Sequence, residues 1–264
     1  MFTTKDEQVF FNDYLNHGYI IRPAADMEAL EWVTKQFINL ISKEIDININ
    51  DTPQDILNSI HQKVSVSELN DFRLRIIRGF NAINDFREMY YRLARPYLEA
   101  LVGNELAMQL RVNLSIQLPG DTSSLLPVHA DTWSGDSPFE VVVWVPLVDC
   151  YKTKTMYILP PDAARDLNQN FKEKSGNNSD SLFSAIKNNV EWLKVNYGEV
   201  LIFNQSLPHG NCINEENETR WSMNCRFKAV FTPYGDKKIG EFFEPITLRP
   251  ASITGMEYQL PKLS

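Results

Sequence analysis

The sequence predicts a mainly β protein with flanking helices, organised as one domain of 264 residues. Two observations carry this. Apolar residues recur at helical spacing through residues 1–105, then switch to strict alternation from Met108, and the period of burial follows the secondary structure that makes it. A third observation bounds it: no linker or internal repeat divides the chain. The expected layout is N-terminal helices over 1–105, a β-core over 106–235 with a polar helical insertion at 161–195, and a tail at 236–264.

The helices announce themselves by their ends. Thr4-Lys5-Asp6-Glu7 has the form of a capping box, in which the Thr4 hydroxyl and the Glu7 carboxylate satisfy otherwise orphaned amides, and the run stops at Gly18. Asp26 opens a second helix with Leu30, Val33, Phe37, Leu40 and Ile41 on one face. Thr52-Pro53-Gln54-Asp55 places proline at the first helical position before Ile56, Ile60 and Val64. A longer helical stretch follows to Val102-Gly103.

From Met108 to Leu118, even-numbered apolar residues alternate with Gln109, Arg111, Asn113, Ser115 and Gln117 until Pro119-Gly120, which reads as one strand with a polar face. Further strands are expected at 140–148, 155–159, 199–204 and 220–231. In the last, Arg220, Ser222, Asn224, Arg226 and Lys228 point opposite to Trp221, Met223, Cys225, Phe227 and Ala229. Two polar-faced strands have two explanations: both faces meet solvent, as in many antiparallel sheets, or they enclose a polar chamber.

Composition narrows the function. With a net charge of −8 and a pI near 5.1, the chain lacks the excess of Lys and Arg that nucleic acid or an anionic membrane requires. A small-molecule partner is expected instead. Cys150, Cys212 and Cys225 form neither a CxxC pair nor an even framework, there is no signal-peptide pattern, and no run of about 18 apolar residues occurs. These features point to a cytoplasmic protein with reduced thiols.

Chemistry concentrates in three short stretches. Residues two apart on a strand share a face, so His129 and Asp131 in PVHADTWSGD would present an imidazole and a carboxylate together. His209 in SLPHGN follows the strand at 199–204 and can supply a third ligand. Two histidines and one carboxylate on one side of a metal form the facial triad of non-haem Fe(II) oxygenases, which leaves the remaining positions free. Arg220 and Ser222 share a strand face after the polar turn 214–218, and such a pair suits the far carboxylate of a chelating 2-oxoglutarate, which could not be buried unpaired. Arg226 on the same face, and Arg111 further off, compete for that task. His17 in Asn-His-Gly and His61 on a polar helix read as surface or capping residues.

Together, HADTWSGDSPFEVVVWVPLVD, KTKTMYILP, GEVLIFNQSLPHGN and ETRWSMNCRF resemble the phytanoyl-CoA dioxygenase-like Fe(II)/2-oxoglutarate oxygenases, and most closely their sporadic carbohydrate-cluster subgroup. HGYIIRP is similar to the family's usual opening, so the resemblance runs from the N-terminal helix to at least Phe231. It implies a cupin-like double-stranded β-helix, or jelly roll, behind an N-terminal helical layer. It also implies His129, Asp131 and His209 as iron ligands, Arg220 as the 2-oxoglutarate anchor, and Asn113, Gln117 and Thr132 as further cosubstrate contacts. O2 would be the oxidant. Asp131 argues against a halogenase, in which chloride takes that ligand position.

The implied substrate is a small polar molecule such as a sugar or nucleotide sugar, with Trp133 and Trp144 as stacking surfaces and Arg226 as a second contact. Where many relatives carry Pro-Gly-Ser-His, this chain has Pro160-Pro161-Asp162, so a contact made by that turn is not expected to transfer. The insertion and the tail are expected to form a lid over the barrel mouth. The rival readings are a peptide, protein or amino-acid hydroxylase with the same chemistry, a zinc hydrolase that would leave Arg220 without a purpose, and a carbohydrate-binding jelly roll without catalysis.

Overall fold

Strand β9, Arg220–Ala229, is the spine of the molecule. In the computed structural model, which describes residues 2–48, 50–174 and 178–261, the helices are α1 (Lys5–His17), α2 (Met27–Glu44), α3 (Pro53–Asn58), α4 (Val66–Asn81), α5 (Phe86–Arg92), α6 (Arg95–Leu101), α7 (Pro161–Gln169), α8 (Phe171–Lys174), α9 (Ser179–Ile186) and α10 (Pro250–Glu257). The other strands are β1 (Tyr19–Pro23), β2 (Leu106–Gln109), β3 (Asn113–Gln117), β4 (Glu140–Pro146), β5 (Tyr157–Ile158), β6 (Glu191–Trp192), β7 (Glu199–Asn204), β8 (His209–Gly210) and β10 (Phe243–Pro245). The fold is mixed helix and antiparallel sheet rather than mainly β as the sequence predicted: most strands are short and the helices hold more of the chain than the sheets do. One sheet runs β1-β7-β4-β9-β2-β10, with β3 also on β9, and a small sheet runs β6-β5-β8.

The local signals act as expected at the helix starts. Thr4 and Glu7 close a capping box, Gly18 takes the left-handed conformation (φ 76°) that ends α1, and the Asp26 and Thr52 side chains cap α2 and α3. The odd face of β9 packs on these helices. Trp221 is fully buried, edge-on to Phe37 and Phe72 at 6.3 and 6.2 Å, and its indole N–H donates to the Leu57 carbonyl at 2.9 Å. The Tyr90 hydroxyl of α5 likewise reaches the Val143 carbonyl of β4 at 2.8 Å.

Four expectations need correction. The first hundred residues are not all helical, because β1 adds to β7 at the sheet edge; five residues after a glycine carry too little period to announce a strand. The strand expected over 108–118 is two, β2 and β3, both paired with β9. Between them the backbone of Val112 leaves the ladder and bonds the Asn81 side chain instead, its N–H to Oδ1 and its C=O from Nδ2, both at 2.9 Å. The strand expected at 155–159 is only β5, and the insertion ends in β6, which pairs with it. The tail at 236–264, in which no strand was expected, contributes β10, which pairs with β2.

The break between β2 and β3 keeps the alternation of faces. Asn113, Ser115 and Gln117 lie directly across from Asn224, Ser222 and Arg220, so the polar faces of the two strands coincide. That shared face looks into a cavity rather than into bulk solvent.

Candidate active site

The cavity has a volume of about 520 Å³ and is lined by Asn113, Ser115, Arg220, Asn224 and Arg226 of the polar faces, together with His129, Asp131 and His209. His129 and His209 are brought together by backbone first. Each donates its N–H to the other's carbonyl, at 3.0 and 2.8 Å, and the Asp131 N–H reaches the Gln205 carbonyl at 3.0 Å. The imidazole centroids are then 4.4 Å apart, and His129 Nε2 lies 3.5 Å from Asp131 Oδ1. Asp131 does not continue a strand, as the two-residue spacing suggested; it opens a single 3-10 turn, Asp131–Ser134, which aims its carboxylate back at the histidines.

The donor set suits a metal ion. One ligand atom from each of His129, Asp131 and His209 can be chosen so that all lie within 4.8 Å of one another. Each histidine's Nδ1 is 2.8 Å from a backbone carbonyl, that of Pro127 or of Leu207. A carbonyl only accepts, so Nδ1 carries the proton and Nε2 keeps its lone pair for the cavity. Burial, with His129 alongside, pulls His209 down to about 4, so this imidazole is neutral at physiological pH, the form that binds metals.

Arg220 is the second element of the site. The residue is 2% exposed; Nη1 donates to the Thr155 carbonyl at 3.0 Å and Nη2 to Ser115 Oγ at 2.7 Å, while Nε has no partner. No carboxylate among the described residues pairs with it. Burial lowers it to about 10, which still leaves it charged at neutral pH. A buried cation without an anion is costly, and it is the arrangement that an anionic ligand would complete.

The remaining expected residues divide. Asn113 lines the cavity and donates to Asn224 Oδ1 at 2.9 Å, and Trp144, 5% exposed, forms part of the wall. Gln117 is buried outside it, bonded to the Cys212 carbonyl at 2.6 Å, and Ser222 is buried beside Ser115 with its hydroxyl unpartnered. Thr132 and Trp133 do not reach the cavity; Trp133 is 42% exposed and meets Phe171 edge-on. Arg226 lines the cavity but spends its guanidinium on Asp131 Oδ2 at 2.8 Å. Arg111 is exposed and outside the lining. His17 is near Asp13 on the surface and His61 bonds Thr219, both away from the cluster.

Unexpected segments complete the lining. Arg73, Leu74 and Ile77 of α4 and residues 123–126 belong to it, and neither the insertion nor the tail contributes a described lining residue. The segments expected as a lid are thus outside the described lining, and β6 and β10 pair short pieces of them with β5 and β2. A signal for α4 existed. Leu74 lies off the buried stripe Leu69, Phe72, Ile76, Phe80 and is exposed, an apolar residue with no core duty.

No family model and no curated protein matches the chain. Solved structures do. The chain is similar to the non-heme monooxygenase ThoJ in a nickel complex (TM-score 0.54, 12% identity, covering 88% of this chain and 86% of that one). It is similar to SnoN, a non-heme alpha-ketoglutarate-dependent epimerase from nogalamycin biosynthesis (0.52, 15%, 89% and 85%). It is also similar to HygX from Streptomyces hygroscopicus, solved with nickel and 2-oxoglutarate bound (0.51, 13%, 88% and 90%). At such identities the likeness establishes a shared fold.

Proposed function

We propose that this protein is a non-haem Fe(II)/2-oxoglutarate-dependent dioxygenase built on a jelly roll, oxidising a small polar molecule such as a sugar or nucleotide sugar. The observation that carries the reading is the placement of an unpaired buried guanidinium, Arg220, in the same cavity as the His129, Asp131 and His209 cluster. A zinc hydrolase would have no use for that cation, and a carbohydrate-binding module would need neither. The likeness to SnoN and HygX, whose descriptions name alpha-ketoglutarate dependence and bound 2-oxoglutarate, supports it. Three free cysteines fit a cytoplasmic setting.

His129, Asp131 and His209 would hold the iron, which when bound supplies the activation of O2 coupled to oxidative decarboxylation of the cosubstrate. Arg220 neutralises and orients the cosubstrate's far carboxylate, with Ser115 Oγ and the Thr155 carbonyl fixing the guanidinium. Trp144, Met156 and Phe203 give the cavity an apolar wall, with Phe203 edge-on to His209 at 5.0 Å. Asn113 and Asn224 offer an amide pair to substrate hydroxyls.

The test is anaerobic. Fe(II) and 2-oxoglutarate added together give the weak visible charge-transfer band of the chelated cosubstrate, and Asp131→Ala or His209→Ala abolishes it. A band that survives loss of His209 removes that residue from the ligand set. Succinate release screened against nucleotide sugars then separates a small-molecule substrate from a peptide.

A further inference from the structure

Arg226 is one of the arginines lining the cavity, yet its guanidinium is already taken up by protein partners. Nη2 donates to Asp131 Oδ2 at 2.8 Å, Nε donates to Gln205 Oε1 at 2.9 Å and lies 3.3 Å from Asp136 Oδ1. Gln205 is itself held, since its Nε2 donates to Glu140 Oε2 at 2.8 Å and to the Ser137 carbonyl at 3.1 Å. Asp136 is buried and receives Lys237 Nζ at 2.8 and 2.6 Å. The result is a partly buried alternation of charge from a metal-ligand carboxylate to a lysine on the C-terminal segment.

That segment is fitted closely against the turn that carries Asp131. The Asp236 N–H donates to the Gly135 carbonyl at 2.9 Å, and Ser137 Oγ donates to the Pro233 carbonyl at 2.7 Å. A Cβ on Gly235 would overlap the Gly135 carbonyl oxygen, and one on Gly135 (φ 88°) would overlap the Asp236 carboxylate, so both glycines permit the approach. The Phe242 ring lies 5.9 Å from the Arg226 guanidinium carbon and 4.7 Å from Lys237 Nζ.

We infer that Arg226 is a positioning residue of the metal centre: it engages Asp131 through Oδ2, leaving Oδ1 toward His129, and residues 233–242 hold Arg226 in place through Asp136 and Lys237. The inference rests on the proposed metal site. Lys237 matters because Asp136 and Asp131 compete for one guanidinium. With Lys237 satisfying Asp136, Arg226 stays on Asp131; without it, Asp136 draws the guanidinium away. The tail then serves the metal ligand rather than covering the substrate.

The sign of one measurement decides between orientation and plain electrostatics. A cation beside a metal site repels the metal, so if charge alone mattered, Arg226→Gln would tighten metal binding. If Arg226 orients the ligand, the same change weakens it, by about 10–100-fold as for other groups that support a ligand. The experiment titrates Mn(II) into the metal-free full-length protein by calorimetry, for wild type, R226Q, R226K and K237M, with urea unfolding of the metal-free proteins alongside. R226Q is expected to weaken Mn(II) binding, R226K to recover part of the loss because lysine cannot fork to Asp131 and Gln205 together, and K237M to lose a few-fold in the same direction.

Equal or tighter Mn(II) binding by folded R226Q overturns the inference. Unchanged binding by K237M removes the tail from it. Should R226Q fail to fold, R226K and K237M decide, and Mn(II) affinity equal to wild type in both overturns it. The underlying site fails differently: wild type would bind no Mn(II), or His209→Ala would bind it as well as wild type.

Discussion

The two faces of β9 are made from adjacent residues and do opposite things. The odd face, Trp221, Met223, Cys225 and Phe227, is fully buried, and its polar hydrogens find backbone carbonyls: the Trp221 indole that of Leu57 and the Cys225 thiol that of Gln109. The even face contains Arg220, with a free Nε, and Ser222, with an unpartnered hydroxyl. One face is finished by folding and the other is left with buried polar groups unsatisfied. Native interiors seldom leave such groups, and each one calls for an explanation such as a catalytic role or a bound water or ion. The comparison teaches that a single strand can separate stability from function by residue parity.

The largest effect expected from this division is on stability. Trp221→Ala removes a fully buried indole and orphans the Leu57 carbonyl, at about 3–5 kcal/mol in urea unfolding. The folded fraction should bind Mn(II) as wild type does. A large change in metal affinity would break the separation of the faces.

A smaller effect, on binding, is expected from the even face. Arg220→Ala should weaken 2-oxoglutarate by about 10–100-fold, as loss of a charge-assisted bond worth about 1.5–3 kcal/mol implies. Arg220→Lys should recover only part. Arg226→Ala should disturb 2-oxoglutarate less than Arg220→Ala does; the opposite order, in cosubstrate titrations, would exchange their roles. Because the Arg220 charge is buried without a carboxylate, Arg220→Leu should cost the ligand-free protein far less stability than Trp221→Ala.

The smallest effect sharpens the odd face. Burial pushes the Cys225 and Cys150 thiols up to about 12, and the half-buried Cys212 up as well. At pH 8 a thiol titrating at about 12 is ionised to roughly one part in ten thousand, so thiol reagents should be slow on the native protein and fast once it is unfolded in urea. Native labelling should fall first on Cys212 and accelerate with pH. Rapid native modification of Cys225 would mean that the odd face opens.

Much of this was legible in local patterns. Helix starts are decided within one turn by a cap, so Thr4, Asp26 and Thr52 announced them. Alternation along 108–118 and 220–229 named the faces before the cavity was known, because parity survives even the break at Val112. Strands β1, β5, β6, β8 and β10 were missed, shortened or unmarked because runs of two to five residues are held by their partners rather than by their own period. In the site, residue type and spacing brought forward His129, Asp131 and His209, which the structure places together, but left Arg220, Arg226 and Arg111 in competition. Ser115 and Thr155, which hold Arg220, and Gln205 and Asp136, which hold Arg226, carried no signal, since ordinary polar residues become partners only by proximity.

By itself, then, the sequence determined which residues could bind a metal or a carboxylate and which face of each long strand they occupy, because those follow from side-chain chemistry and a period of two. Only the tertiary structure decided how the groups are shared. It joined His129 to His209 through a backbone bridge across 80 residues, left Arg220 unpaired while giving Arg226 to Asp131, and brought residues 233–242 against the turn at Gly135. The two arginines are six residues apart on one strand face and alike in chemistry. What distinguishes them is which carboxylate the rest of the fold places within about 3 Å, the reach of a charge-assisted hydrogen bond, and no local pattern records that distance.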